Sequence, residues 1–305
     1  MNDKALTVVR PLAITPAMMV SSNVPETDHP EWAAGTTYAD GDRVIIAAQH
    51  KVYQSLAAGN VGNNPTAAAL PPKWLEVGST NRWQPFDKSV SSQVKRAGAI
   101  GYRIKPGQAV SALGVLNITG GTSVRVRVVD PTFGTVYDKT VSLSRTPRAG
   151  GWWAWFFGER HFPTQVILRD MPSYPLADVL IDIAGTADLA VGVILLGQQR
   201  HFSMGVKMGA RVGIQDYSRK ERNEFGDVLL VERAFSKKAN LSMMLQAYEV
   251  DALQQFLTDV RSTPCLWVGT SRYEATTIYG FYKSFDIVLS YFDYSDCDLE
   301  LESLT

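Results

Sequence analysis

The chain has only two cysteines, Cys265 and Cys297, in 305 residues. That excludes a disulfide framework and a cysteine-based metal array, and predicts two small buried apolar side chains. It has no charge bias either, with 30 Lys and Arg balanced by 30 Asp and Glu. A zero net charge lacks the basic footprint that displaces counterions from a polynucleotide, so nucleic acid is not an expected partner. No apolar run approaches the ~20 residues needed to cross a bilayer, and membrane insertion is not expected. Met1-Asn2-Asp3-Lys4 leads into no secretory core, which predicts synthesis in the cytoplasm. The four histidines, His29, His50, His161 and His201, are far apart and form no metal-ligand spacing. No nucleophile elbow, Cys-His pair or phosphate-binding glycine loop is visible, so no catalytic residue, cofactor or metal is expected and the protein is read as a non-enzyme. Glu159-Arg160-His161 places a carboxylate near an imidazole, but reads better as an ion-paired strand end.

What is present is β-pattern and aromatic rings. Residues 1–30, with Pro11, Pro16, Pro25 and Pro30, read as an extended arm with one strand over residues 6–12. Such an arm either packs on a neighbouring domain or stays a mobile terminus. Residues 31–82 read as a small β module. Its two or three short strands bury little surface, so its rings must supply the core.

Residues 83–200 read as an antiparallel β-sandwich of jelly-roll type. Ser123-Val124-Arg125-Val126-Arg127-Val128 alternates strictly, residues 178–183 do so less cleanly, and residues 189–196 are apolar on both faces. Gly120-Gly121, Asp130-Pro131 and Gly150-Gly151 read as turns between strands. The run Trp152-Trp153-Ala154-Trp155-Phe156-Phe157, read as a strand, puts Trp153 and Trp155 on one face. That face is either a sugar-stacking or partner-docking platform, or a surface buried between domains.

Residues 201–305 read as a C-terminal β domain with one helix. Val250, Leu253, Phe256, Leu257 and Val260 share a face of a helix over 249–260, which Pro264 ends. Strands are expected at residues 227–232, 241–245, 265–268, 277–282, 285–289 and 297–302. Residues 200–240 carry nine Lys or Arg against five acids, and residues 286–305 carry six acids and no base. Opposite charges on one domain suit a ring of identical subunits, although such runs also occur as plain solvated surface.

The order Trp32, Tyr38, Gly41-Asp42, Val44, Tyr53-Gln54-Ser55, Asn63-Asn64-Pro65, Trp74-Leu75-Glu76-Val77-Gly78 resembles the chitin-binding-like carbohydrate-binding modules of families 5 and 12. The following Thr80-Asn81-Arg82-Trp83-Gln84-Pro85-Phe86-Asp87 is similar to the variant carried by tail-tip and baseplate proteins of tailed bacteriophages. The resemblance implies Tyr38, Tyr53 and Trp74 as carbohydrate-binding candidates, beside the independent candidates Trp153 and Trp155. It assigns Asp42 to a tight Gly-Asp turn. One departure is clear: residues 56–62, Leu-Ala-Ala-Gly-Asn-Val-Gly, carry no ring to stack on a pyranose. The C-terminal pattern resembles the β-sandwich-plus-helix domain of tail-tube and tail-tip proteins. Together these imply a virion protein in a phage tail, with other tail proteins, further copies of itself in a ring, and a host-surface glycan as partners. Two functions follow as expectations: a structural tail component displaying the module, or an adhesion protein that binds glycan.

Overall fold

A computed structural model describes residues 5–68, 70–144, 151–157, 162–202, 204–222, 227–270 and 272–304. The protein is mainly β, with a large antiparallel sheet, as the sequence pattern predicts. Its chain divides into two compact units: residues 1–12, 110–113 and 196–305 in one, residues 13–109 and 114–195 in the other.

In the first unit, Leu6–Pro11 pairs antiparallel with residues 197–202 on one side and with Cys265–Val268 on the other. The sheet continues through Thr277–Val288, Tyr294–Ser303 and Phe235–Gln246, and Gly205–Val206 and Arg211–Asp216 pair along the outer side of that last strand. The N-terminal arm therefore begins as a central strand, with Leu6, Val8 and Val9 fully buried.

Helix Val250–Asp259 follows a capping box in which Glu249 accepts from the backbone N–H of Gln246 at 3.1 Å. It sets Leu253, Phe256, Leu257 and Val260 into a core with Leu241, Met243, Cys297, Leu299, Leu301 and Trp267. Both cysteines are buried and unpaired. Burial pushes each thiol up to about 12, so neither is a ready nucleophile.

The acidic strand answers the basic segment within the same sheet. Lys207 pairs with Asp296 at 2.6 Å, Lys238 stands opposite Glu302, and Tyr217 donates to Glu302 at 2.9 Å.

In the second unit, Met19–Ser22 pairs with Ala99–Ile104, which pairs with residues 179–184. The alternation at Val124, Val126 and Val128 forms as expected: these three are buried, in a strand that pairs with Gly134–Ser142. Residues 189–196 are buried throughout.

Several local expectations change. Residues 178–183 and 189–196 belong to one strand, Asp178–Phe202, and residues 277–282 and 285–289 to Thr277–Val288, with a bulge between Tyr282 and Ser284. Residues 241–245 extend to Phe235–Gln246, while among the described residues Val228–Val231 pairs antiparallel with Arg219–Arg222 as a separate two-stranded sheet. Gly120-Gly121 is no turn between strands but lies inside Ala112–Asp130. Gly120 has φ 65°, and a Cβ there would stand 2.8 Å from Thr186 Oγ1, so the glycine permits both the kink and the close approach.

The aromatic run is not a strand. Gly151–Phe157 is an α-helix, in which Trp152 stacks with Phe156 and Trp153 packs at a tilt on Phe157, four residues apart. Ring pairs at that spacing stabilise a helix, and this local gain overrides the β-preference of single aromatics. Gly150, Glu159, Arg160 and His161 lie outside the described residues.

Candidate functional site

The module folds as its own three-stranded antiparallel sheet, Arg43–Ile46, Lys51–Ser55 and Trp74–Ser79, with a register shift between Val52 and Tyr53 that leaves Val77 unpaired. Tyr38, Val44 and Tyr53 form its buried core, and Trp32, Ile46 and Trp74 pack against them. Tyr38 and Tyr53 are each only 7% exposed. The Tyr38 and Trp74 rings meet edge to face at 5.2 Å.

The polar tips of the three candidate rings are engaged, whereas the indole N–H of Trp32 is buried without a hydrogen-bond partner. Tyr38 Oη accepts from Ala33 N at 2.8 Å, Tyr53 Oη donates to Gln49 Oε1 at 3.0 Å, and Trp74 Nε1 donates to the Asn63 carbonyl at 2.9 Å. The structure therefore brings Tyr38, Tyr53 and Trp74 together as packing.

The turn residues behave as their chemistry predicts. Gly41 takes φ 86°, and Asp42 Oδ2 accepts from Ala39 N at 2.7 Å, which fixes the Gly-Asp turn. Asn60 stands where a stacking ring is absent. It is buried, bonded through its backbone both ways to Tyr38, and its side-chain amide donates to Ser55 Oγ and the Lys73 carbonyl. Residues 56–62 thus knit the module.

The segment after the last strand is a polar clasp. Glu26 accepts from Thr80 Oγ1 at 2.6 Å, meets His50 Nδ1 at 2.8 Å and lies 3.5 Å from the Arg82 guanidinium. Trp83 stacks on His50 at 4.4 Å.

Beside this clasp and the outer strand of the module lies an open cleft of about 320 Å³, lined among others by Asp28, Arg43, Val77, Gln84, Asp87 and Ser91. Its size falls within the range of about 300–1,000 Å³ usual for small-molecule sites. Two of its groups are poorly solvated. Gln84 Oε1 is buried without a hydrogen-bond partner. Burial raises the Asp87 carboxyl, against the opposing pull of Ser92 Oγ and Ser89 N, which donate at 2.7 and 2.8 Å. Hydroxyls, an amide, carboxylates and a guanidinium around one exposed valine can hydrogen-bond a polyhydroxylated ligand in both senses.

This cleft was missed in the residue pattern. Its one signal is the serine cluster Ser89, Ser91, Ser92 directly after Asp87, which pattern reading treats as loop.

The remaining two candidates lie elsewhere. Trp153 sits exposed on the aromatic helix, whereas the side chain of Trp155 lies outside the description. Among the described residues no group of three or more His, Cys, Asp or Glu is placed to hold a metal ion. Among the described residues, no helix is long and apolar enough to cross a membrane. Compared with known proteins, the chain matches no family model, no curated protein and no solved structure.

Proposed function

We propose that this chain is a structural component of a phage tail tip or baseplate, which assembles with copies of itself and other tail proteins and displays the module of residues 31–82. The observation that carries this reading is the outer side of the first unit's sheet. Strand Arg211–Asp216 lies there with Val212 and Ile214 exposed, and the adjoining hairpin exposes Val228, Leu230 and Val231. An outer strand with exposed branched side chains is a template for a neighbouring chain. Because Lys207, Arg219 and Lys283 of this unit are already paired with Asp296, Glu221 and Glu300 within one chain, apolar strand addition is the contact assigned to assembly.

Light scattering of the full chain is expected to show an oligomer. Val212→Asp with Ile214→Asp should raise the apparent dissociation constant at least tenfold, roughly 1.4 kcal/mol or more. A wild type that stays monomeric at every concentration and binds no other tail protein removes the reading.

A second reading, glycan adhesion through the module, is favoured by the polar cleft. Because Leu6–Pro11 is a central strand, point changes in the cleft are a sounder probe than removal of the N-terminal residues, which would take that strand out of the sheet. Gln84→Ala with Ser91→Ala is expected to weaken binding to chitin oligosaccharides or envelope polysaccharide about tenfold, with folding intact. Equal binding by wild type and variant, or none by either, rejects adhesion through this cleft.

A further inference from the structure

Helix Gly151–Phe157 shows its rings to solvent: Trp152 is 81% exposed, Trp153 74%, Phe156 62% and Phe157 69%. At 100° per residue these four fall on one arc of about 140°. The rings form a continuous aromatic face, with Trp152 on Phe156 at 6.3 Å, Trp153 on Phe157 at 4.4 Å, and Phe156 to Phe157 at 6.4 Å. Four rings so exposed present on the order of 500 Å², comparable with the largest apolar patch of a typical monomer. Phe162 adds another exposed ring just beyond in the chain.

We propose that this face docks onto a lipid bilayer carrying anionic headgroups. Three features select that occupant. The four rings stand 62–81% exposed along one helix face, and a bilayer requires no complementary groove to receive them. Indoles favour the headgroup layer, where an apolar body and a polar N–H are both satisfied. By sequence, residues 144–162 hold Arg145, Arg148 and Arg160 against the single Glu159, in a chain of zero net charge, which complements an anionic surface. Seven residues of helix measure about 10 Å against a hydrocarbon core of about 30 Å. The helix therefore lies in the interface and crosses nothing, and this inference is independent of the assembly reading.

The test is flotation of the full chain with vesicles of phosphatidylcholine alone and of phosphatidylcholine mixed with phosphatidylglycerol. The wild type is expected to float with the mixed vesicles and less with the neutral ones. Trp152→Ser with Trp153→Ser, and separately Phe157→Ser, should lower the partition coefficient, for the double change by about tenfold or more. These side chains are exposed, so the melting temperature of the whole chain should stay unchanged, and Phe157→Ser keeps the Trp152–Phe156 pair that supports the helix. Absence of the wild type from both vesicles, or equal flotation of the double variant, overturns the proposal. So does a wild type that ignores vesicles but loses its oligomeric state on ring substitution, which assigns the face to a protein neighbour.

Discussion

Trp267→Ala is expected to lower the unfolding free energy by about 3–5 kcal/mol, a large share of the roughly 5–15 kcal/mol available to a domain. The side chain is 1% exposed, on strand Cys265–Val268 between Leu6–Pro11 and Thr277–Val288. It belongs to the core into which the helix sets Leu253, Phe256 and Leu257, so its removal leaves a cavity that packed strands cannot close. The indole N–H also donates to the Gly280 carbonyl at 3.0 Å, and truncation leaves that buried oxygen without this donor. Trp267→Phe keeps most of the volume and loses the hydrogen bond, and should cost about 1–3 kcal/mol. Urea unfolding of the three proteins measures the order. An alanine variant within 1 kcal/mol of wild type would mean that this core does not hold the unit together.

What the sequence discloses about this fold depends on how local the cause is. The Val124-Val126-Val128 strand and the helix at Val250–Asp259 carry their burial in a period of two or of three to four, and both form as the pattern predicts. The continuity of Asp178–Phe202 is hidden, because Gly185-Thr186-Ala187-Asp188 looks like a break. Only the fold reveals that a Cβ at Gly185 would meet the Gly120 carbonyl at 2.5 Å, where two strands pass closely. The central position of Leu6–Pro11 rests on partners some 190 and 260 residues away in the chain, such as His201 and Trp267 across from Thr7 and Val8, and no local pattern encodes that choice.

The aromatic helix was misread because six consecutive ring-bearing or small residues satisfy either period, and the i, i+4 ring contacts that decide it are short-range but not alternating. The site divides in the same way. That rings pin the module is legible; whether a ring is core or ligand platform depends on burial, and the polar cleft draws on separate stretches around Asp28, Arg43, Val77 and Asp87.

Tyr38→Ala should unfold the module outright, and this sets the role of its rings apart from that of the cleft. Three residues, Tyr38, Val44 and Tyr53, make up the buried core of a three-stranded sheet, so the loss of one aromatic removes a large part of what holds it. The lost burial and cavity amount to about 3–5 kcal/mol. The edge-to-face contact with Trp74 and the hydroxyl that receives Ala33 N disappear with the ring. The Tyr38 backbone, bonded both ways to Asn60, then loses the side chain that fixes it, while residues 56–62 keep their bonds to Ser55 and Lys73. Limited proteolysis is expected to cut the variant within residues 31–82 at a rate at least tenfold above wild type, the increase that a loss of about 1.4 kcal/mol in local stability produces when cleavage follows the open population. Tyr38→Phe keeps the ring and should remain protected. If Tyr38→Ala stays protected yet loses a glycan that the wild type holds, the ring is a ligand platform, and the packing role drawn from its burial is wrong. If protection and glycan binding fail together, while Gln84→Ala with Ser91→Ala loses binding alone, the rings build the module and the cleft reads the sugar.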